Sequence, residues 1–214
     1  MCIRDSERTG QNNARALLYD NKNRLWIACK DKTIAIYDNS HNFLGYLHFD
    51  GSVSMQPDTS LGMAYAITQD KSGTIWIGTK GNGLIEVQPG HSSLHFLLKQ
   101  YKYSVEDIYS LSHNDIYAVC EDAVGRIWIA TFGGGVNYME QIEGKTRFIN
   151  YRNKLKKFPI PLCYRTRDLV SDGNGRIWIA TSNGLLACKE KFSDAEQLEF
   201  EHYTRTPEDI NSLS

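Results

Sequence analysis

The sequence predicts an all-β fold: a β-propeller with four blades of four antiparallel strands, forming an open arc of a larger ring. Three observations predict it. One segment type recurs four times in 214 residues, every copy carries one of the four tryptophans, and every copy holds four short apolar runs separated by turn residues. Four strands in about 50 residues are typical of propeller blades. A solenoid of stacked β-layers is the rival architecture, but regular β-helices repeat over fewer residues.

The tryptophans set the repeat period. They are 50, 52 and 50 residues apart, and the string GRIWIAT occurs identically at 125–131 and 175–181. Chance does not explain such a recurrence, so we interpret the chain as an array of structural repeats. The predicted segments are a non-repeat N-terminal stretch at 1–11, blades at 12–50, 51–104, 105–153 and 154–206, and a connector to a missing fifth blade at 207–214.

An Asp-x-x-Gly turn joins the first two strands of each repeat. Three residues after its aspartate stands a glycine or, in the first repeat, Asn23. Glycine and asparagine best tolerate positive φ, so we expect a type I turn followed by a left-handed residue, closing an antiparallel hairpin. The structural repeat residues are Asp20, Trp26, Asp70, Gly73, Trp76, Asp122, Gly125, Trp128, Asp172, Gly175 and Trp178.

The tryptophan strand, RIWIA in two repeats, carries apolar side chains on both faces. A strand of this kind is buried on both sides. Stacking of blades supplies that burial, so we predict each tryptophan to be largely buried between blades. The residue after Trp-Ile is always alanine or glycine, which lets a neighbouring backbone come close. Third and fourth strands follow in each repeat, with no helical stretch between them.

Composition excludes several classes of function. A net charge of −1 and a pI near 6.6 provide no basic excess, so no nucleic-acid partner is expected. No run of ~18 apolar residues occurs, and no membrane contact by this segment is expected. The N-terminal MCIRDSERTG lacks a signal-peptide core. The five cysteines have no C-x-x-C spacing and are interpreted as small buried residues.

No motif predicts catalysis, a cofactor or a metal site. The glycine-rich GTKGNG at 78–83 is neither a G-x-G-x-x-G nor a P-loop pattern, and is interpreted as a strand-to-strand turn. His91 and His95 flank a turn, and DGNG at 172–175 lacks the remaining ligands of a calcium loop. We therefore expect neither a catalytic residue nor a bound metal.

The pattern D-x-x-G-[RT]-I-W-I-[GA]-T-x-x-G-[GL] resembles the two-component regulator propeller repeat family over about residues 12–214. A Ser-Leu element before a blade's first strand is a second shared mark; it occurs at Ser60, Ser110 and Ser212. Because no blade follows Ser212, we expect an incomplete ring. The first blade departs from the pattern, since ACKDKT replaces the glycine turn after its tryptophan strand.

The resemblance implies a non-enzymatic sensor segment of a hybrid histidine kinase, located in the periplasm as part of an inner-membrane protein. Its implied partners are a glycan fragment or other small solute and the remaining blades of the same chain, with a homodimer left open. Two alternatives stay open: a streptogramin-lyase-like enzyme with a catalytic histidine, for which only His113 is suitably placed, and a scaffold that docks protein partners.

One face of the predicted propeller is the candidate for ligand binding. Loops from second to third strands lie on the same face as the connectors between blades, opposite the Asp-x-x-Gly turns. Their side chains differ from blade to blade, as a recognition site on a rigid scaffold requires. We expect an aromatic residue there to stack on a sugar ring and a lysine to pair with an acidic group. The candidates are Lys30, Lys80, Asn82, Phe132, Ser182, Asn183, Tyr109 and His113.

Overall fold

A computed structural model describes residues 13–207 and 212–213. It contains four antiparallel sheets, each following chain order, and we call them blades 1 to 4. Blade 1 comprises β1 (Ala14–Tyr19), β2 (Leu25–Cys29), β3 (Ile34–Tyr37), β4 (Phe43–Leu47) and β5 (Val53–Ser54). Blade 2 comprises β6 (Ala64–Gln69), β7 (Ile75–Thr79), β8 (Leu84–Pro89) and β9 (Phe96–Tyr101). Blade 3 comprises β10 (Ile116–Glu121), β11 (Ile127–Thr131), β12 (Gly135–Ile142) and β13 (Lys145–Ile149). Blade 4 comprises β14 (Thr166–Ser171), β15 (Arg176–Thr181), β16 (Gly184–Lys189) and β17 (Glu201–Tyr203).

The predicted propeller fold is confirmed, with two local differences. The short strand β5 extends the first sheet to five strands, past the boundary expected at residue 50. Blade 4 carries two short helical segments, α1 (Ile160–Cys163) before its first strand and a 3-10 turn (Ala195–Gln197) before its last. Each is a single turn and leaves the order of the strands unchanged.

The blades form an open arc. The first strands of successive blades contact each other: β1 with β6, β6 with β10, and β10 with β14. These first strands are therefore the inner ones, nearest the propeller axis, and the fourth strands lie at the outside. Within the described residues, no hydrogen bond between blades 1 and 4 closes the arc into a ring.

The Asp-x-x-Gly turn has the predicted geometry and an additional bond. Gly73 and Gly125 have φ of 93° and 87°, and Asn23 has φ of 60°. In blade 3, Oδ1 of Asp122 accepts the Arg126 backbone N–H at 2.8 Å. Oδ2 accepts the indole N–H of Trp128 at 2.9 Å, and the same aspartate–tryptophan bond occurs in all four blades. The six-residue spacing thus joins the turn to the buried strand.

The tryptophans pack between blades, except the last. Trp26 and Trp128 have no exposed surface and Trp76 has 4%, each within an apolar cluster that includes side chains of the following blade. Trp178 is only partly buried. The prediction of packing between two blades was wrong for this residue, because no sheet of the described residues lies beyond blade 4.

A small residue after Trp-Ile allows close approach of the next blade, as predicted. A Cβ added at Gly78 would lie 2.6 Å from Cγ2 of Ile116, on the inner strand of blade 3. The first blade has alanine, Ala28, at this position, but it lacks the glycine turn that follows the tryptophan strand in the other blades. Lys32 takes the left-handed conformation there, with φ of 74°.

Candidate functional site

The loops between second and third strands share one backbone arrangement. In each blade, the first loop residue donates its backbone N–H to the residue just before the inner strand. In blade 3, for example, Phe132 donates to Asp115 at 2.8 Å. We call the side of the propeller that carries these loops and the connectors the loop face, and the side with the Asp-x-x-Gly turns the turn face. The four equivalent loop residues are Lys30, Lys80, Phe132 and Ser182.

Phe132 lies in an aromatic stack. Its ring is stacked on Tyr117 of the same blade, with centroids 4.8 Å apart and planes inclined by 18°. The guanidinium carbons of Arg165 and Arg167, from blade 4 and its connector, lie 5.5 and 5.1 Å from its centroid. The ring is therefore engaged by Tyr117 and two arginines and offers no bare platform for a sugar ring. This differs from the expectation that it would stack on a ligand.

Two of the candidate asparagines hold the loops in shape. The Asn82 amide donates to the Ser60 and Leu61 carbonyls at 3.3 and 3.2 Å, which fastens the blade-2 loop to its connector. Asn183 donates its backbone N–H to the Thr181 hydroxyl and accepts from His202 through its carbonyl. Asn82 therefore has a structural role, and the contacts of Asn183 are made by its backbone.

Tyr109 and His113 lie apart from each other. Tyr109 packs at the outer edge of blade 3, where the Arg147 guanidinium lies 4.8 Å from its ring centroid. His113 sits beside the blade-3 loop: its Nδ1 accepts the Asp115 backbone N–H at 3.0 Å, and its ring leaves no room for a Cβ at Gly133. Thus His113 is near the Phe132 loop, whereas Tyr109 is not.

A column of four residues on the inner strands was missed by sequence analysis. Each inner strand has a bulge directly after its first residue, shown by a register shift at the same place in every blade. The bulge residue is Arg15 in blade 1, Tyr65 in blade 2, Tyr117 in blade 3 and Arg167 in blade 4. Bulges re-aim side chains, and here they bring equivalent residues into mutual contact around the propeller axis.

The bulge residues and Phe132 form a continuous ladder. The Arg15 guanidinium lies 4.4 Å from the Tyr65 centroid, and Tyr65 stacks on Tyr117 at 4.6 Å. Tyr117 stacks in turn on Phe132, and Arg167 covers the far end. Burial, with the nearby Tyr65, raises the pKa of Tyr117, so its hydroxyl is protonated at neutral pH. We call these five residues the channel ladder.

The Ser-Leu-Ser element of the connector has a structural explanation in blade 3. The backbone N–H of Ser112 donates to the Asn137 side-chain oxygen at 2.9 Å, and Asn137 returns a bond to the Ser112 hydroxyl at 2.8 Å. Asn150 donates to the same Asn137 oxygen at 3.0 Å. Both asparagines are fully buried, so this satisfied polar network fixes the connector to the blade. Near the C-terminal end, Ser212 binds Thr206 as Ser110 binds Ser104.

The turn face carries a cleft of about 530 Å³ between blades 1 and 2, which is an alternative to the loop face as a candidate ligand site. Lys22, Arg24, Ile75, Leu94 and Phe96 are among its lining residues. Asn21 of blade 1 donates its backbone N–H to the Gln69 side chain of blade 2 at 2.7 Å across this region. The cleft is thus a gap between two blades bridged by a structural bond, and it contains no stacked ladder.

Two of the five cysteines, Cys120 and Cys188, lie where burial suppresses formation of the thiolate. Burial raises the pKa of Cys120 and of Cys188 to about 12, so both thiols are protonated and unreactive at neutral pH. Within the described ranges, no group of three or more His, Cys, Asp or Glu side chains is placed to hold a metal ion. In the same ranges, no helix combines the length and apolarity that crossing a bilayer would require.

Two segments match the family described as two component regulator propeller, residues 60–81 and 110–133. These two segments are similar to two-component regulator propeller repeats. Each matched segment begins at the connector Ser-Leu element, runs through the inner hairpin of its blade and ends at the loop face, at Gly81 in blade 2 and Gly133 in blade 3. The resemblance predicted from these elements is confirmed.

Solved structures show the same fold. The extracellular domain of a protein described as a hybrid two component system from B. thetaiotaomicron aligns with a TM-score of 0.66 and 19% identity, over 91% of this chain and 25% of that one. A second such domain from B. thetaiotaomicron has a TM-score of 0.62 and 20% identity, over 91% and 24%. The chain thus spans about a quarter of the length of these domains.

The fold also occurs in an enzyme. Virginiamycin B lyase from Staphylococcus aureus aligns with a TM-score of 0.60 and 14% identity, over 91% of this chain and 56% of the lyase. Likeness at these identities shows the fold alone and assigns no activity. Comparison with curated proteins found no match.

Proposed function

We propose that this chain is a ligand-sensing, non-enzymatic propeller segment of a two-component hybrid histidine kinase sensor. Its ligand in this proposal is a glycan fragment or another small solute. The segment acts in the periplasm and passes the signal to a kinase elsewhere in the protein. The two matched repeats support the sensor family, and the architecture of the loop face supports a recognition role.

One observation carries the recognition role: the two faces of the same blades use their side chains differently. On the turn face, an aspartate makes the same bond to a tryptophan in all four blades. On the loop face, four equivalent backbone positions carry two lysines, a phenylalanine and a serine. Uniform bonding serves the fold, whereas varied side chains on a rigid backbone are what a binding surface needs.

The remaining blades of the same chain are the partners proposed for the outward faces of blades 1 and 4. Leu17 and Tyr19 on blade 1 and Val170 on blade 4 are all more than half exposed, at 61%, 57% and 56%. Apolar side chains aligned on a sheet face favour covering by another sheet. A homodimer through the same faces is the competing arrangement, and the mass of the full-length protein in sedimentation distinguishes the two.

The test is a titration of the full-length sensor with a panel of oligosaccharides, followed by autophosphorylation of its kinase. Lys80→Ala and Phe132→Ala alter the loop face, and Lys22→Ala alters the cleft on the turn face. We expect the loop-face variants to weaken both binding and the kinase response, with Lys22→Ala like the wild type. Loss confined to Lys22→Ala would assign the site to the turn face, and no response to any solute would contradict the sensing role.

A lyase-type enzyme is the second candidate, favoured only by its shared fold. It requires a histidine beside a second histidine and an acidic group. The His113 ring accepts a backbone N–H, and no hydrogen bond or ion pair within the described residues joins it to another histidine or a carboxylate. Ligand turnover followed by mass spectrometry tests this candidate: a product that disappears in His113→Ala would support the enzyme.

A further inference from the structure

The arginine end of the channel ladder has the features of an anion site. Arg165 and Arg167 both lie against the Phe132 ring, and both are exposed. Arg165 also lies 5.1 Å from the centroid of the Tyr164 ring, so two aromatic rings contact its guanidinium. Stacking of this kind fixes the plane of a guanidinium and leaves its N–H edge free.

The hydrogen-bonding capacity of these two arginines is largely unused. Arg167 donates its Nε–H to the Ser182 hydroxyl at 3.3 Å, and within the described residues the Arg165 guanidinium donates to no protein acceptor. Neither arginine forms an ion pair in the same part of the chain, although Asp168 follows Arg167 directly in the sequence. Three other arginines, Arg24, Arg126 and Arg176, are paired with carboxylates, as Arg126 is with Asp122 at 2.9 Å.

The remainder of the ladder offers hydroxyl groups rather than ring faces. The rings of Tyr65, Tyr117 and Phe132 are stacked on one another, so their faces are not free for a ligand. Tyr117 and Ser182 contribute hydroxyl groups near the Arg167 guanidinium. A hydroxylated solute with one negative group fits this combination, since a guanidinium fork binds two oxygens of a carboxylate or phosphate in a bidentate manner.

We propose that Arg165 and Arg167 bind the oxyanion of a small hydroxylated solute, a carboxylate, sulfate or phosphate, on the loop face beside the inner strands. The proposal rests on the sensing function and adds to it the chemical class of the ligand and the residues that select it. Arg15, at the other end of the ladder, is separated from this pair by the three stacked rings and has a lesser role.

The experiment is calorimetric titration of the full-length protein with four probes: glucose, glucuronate, glucose 6-sulfate and glucose 6-phosphate. The probes share a sugar ring and differ in the charged group at C6, so they distinguish the three oxyanions. We expect at least one charged sugar to bind about tenfold more tightly than glucose, with affinity falling as salt is raised. Equal affinity for glucose and all charged sugars would overturn the proposal, as would the absence of binding by every charged probe.

Variants locate the site. Arg165→Gln and Arg167→Gln are each expected to weaken binding of the charged sugar about tenfold, and Arg167→Lys to weaken it less, since it keeps the charge but not the fork. Arg147→Gln is the matched control, because Arg147 also stacks on a tyrosine but lies at the outer edge of blade 3. Unchanged affinity in both glutamine variants would overturn the assignment.

The failure of this site and the failure of the sensing function have different signatures. Binding that depends on Arg165 and Arg167 without any kinase response supports the site and contradicts the sensor role. A kinase response to a neutral sugar that persists in both variants supports the sensor and overturns the oxyanion site. Thermal unfolding of each variant, expected to match the wild type because both side chains are exposed, excludes a folding defect as the cause.

Discussion

The same seven residues, GRIWIAT, occupy two different environments at 125–131 and 175–181. In blade 3, all five residues of the strand β11 are buried, and Trp128 contacts Phe192 of blade 4 at a centroid distance of 6.4 Å. In blade 4, burial alternates along β15, and the ring contact of Trp178 is with Tyr203 of its own blade. Burial in a propeller is therefore set by the next blade, not by the local sequence.

The first blade shows the complementary half of this comparison. Leu17 is 61% exposed, whereas the residues at the same register position in blades 2, 3 and 4 are Ile67, Val119 and Leu169, exposed by 8%, 7% and 5%. Blades 2 and 3 are covered by a neighbouring blade on both faces, whereas blades 1 and 4 are covered on one face only. Identical pieces thus contribute unequally to the free energy of unfolding.

The largest expected effect is that of truncating the two equivalent tryptophans. Trp128→Ala should lower the free energy of unfolding by about 3–5 kcal/mol, the range for removing a fully buried aromatic side chain. Trp178→Ala should lower it by about 1–2 kcal/mol, because part of this side chain is already in water. Urea denaturation of both variants measures the difference. Equal losses would mean that the neighbouring blade does not determine the contribution of the tryptophan strand.

The second largest difference between blades 3 and 4 is expected for the aspartates that accept the tryptophan indole N–H, Asp122 and Asp172. The buried Asp122 carboxylate accepts from the Trp128 indole and from Arg126, both at 2.9 Å. Asp122→Ala leaves these donors without their acceptor, and we expect a loss of about 2–4 kcal/mol. In blade 4, Arg176 bonds instead to Glu201 at 2.9 Å, so Asp172→Ala should cost less.

Chemical denaturation of the two aspartate variants, with Asp122→Asn as the conservative control, measures this contrast. Asparagine keeps an acceptor for one of the donors, so Asp122→Asn should fall between the wild type and Asp122→Ala. If Asp172→Ala lowers the free energy of unfolding as much as Asp122→Ala does, the Asp-x-x-Gly turns of blades 3 and 4 stabilise the fold equally. The difference between the two blades would then not extend to the turn face.

Sequence reasoning accounted for the fold because its signals are local. A positive-φ residue such as Gly125 closes a hairpin whatever surrounds it, and the two-sided apolar strand requires a partner on each face. The environment of Trp178 could not be predicted in this way, because it depends on a neighbour that the repeat pattern does not specify. The aspartate–tryptophan bond was missed although its constant six-residue spacing was visible.

The channel ladder was missed for a related reason. Its members come from four repeats, so contact between them is evident only once the repeats are placed around an axis. The bulge also breaks the simple alternation of side chains along the inner strand, which hides the direction of its second residue. Reading the second position of the inner strands as a column, Arg15, Tyr65, Tyr117 and Arg167, would have revealed the pattern.

The smallest expected effect is a pH dependence of the free energy of unfolding, contributed by the Asp-x-x-Gly turn of blade 4. Bonds from the backbone N–H groups of Asn174 and Arg176 lower the pKa of Asp172. A carboxylate whose pKa is lower in the folded state stabilises the fold above its unfolded pKa of about 3.9, and that contribution is lost as the pH falls through the folded-state value. Asp172→Asn removes it. The gap in unfolding free energy between wild type and variant should thus be widest near neutral pH and shrink below about pH 4.

Urea denaturation across pH 3–7 measures this gap, and Asn174→Ala, which removes no titratable group from the same turn, should differ from wild type by a constant amount. A constant gap for Asp172→Asn would show that the charge of Asp172 does not contribute to the stability of blade 4.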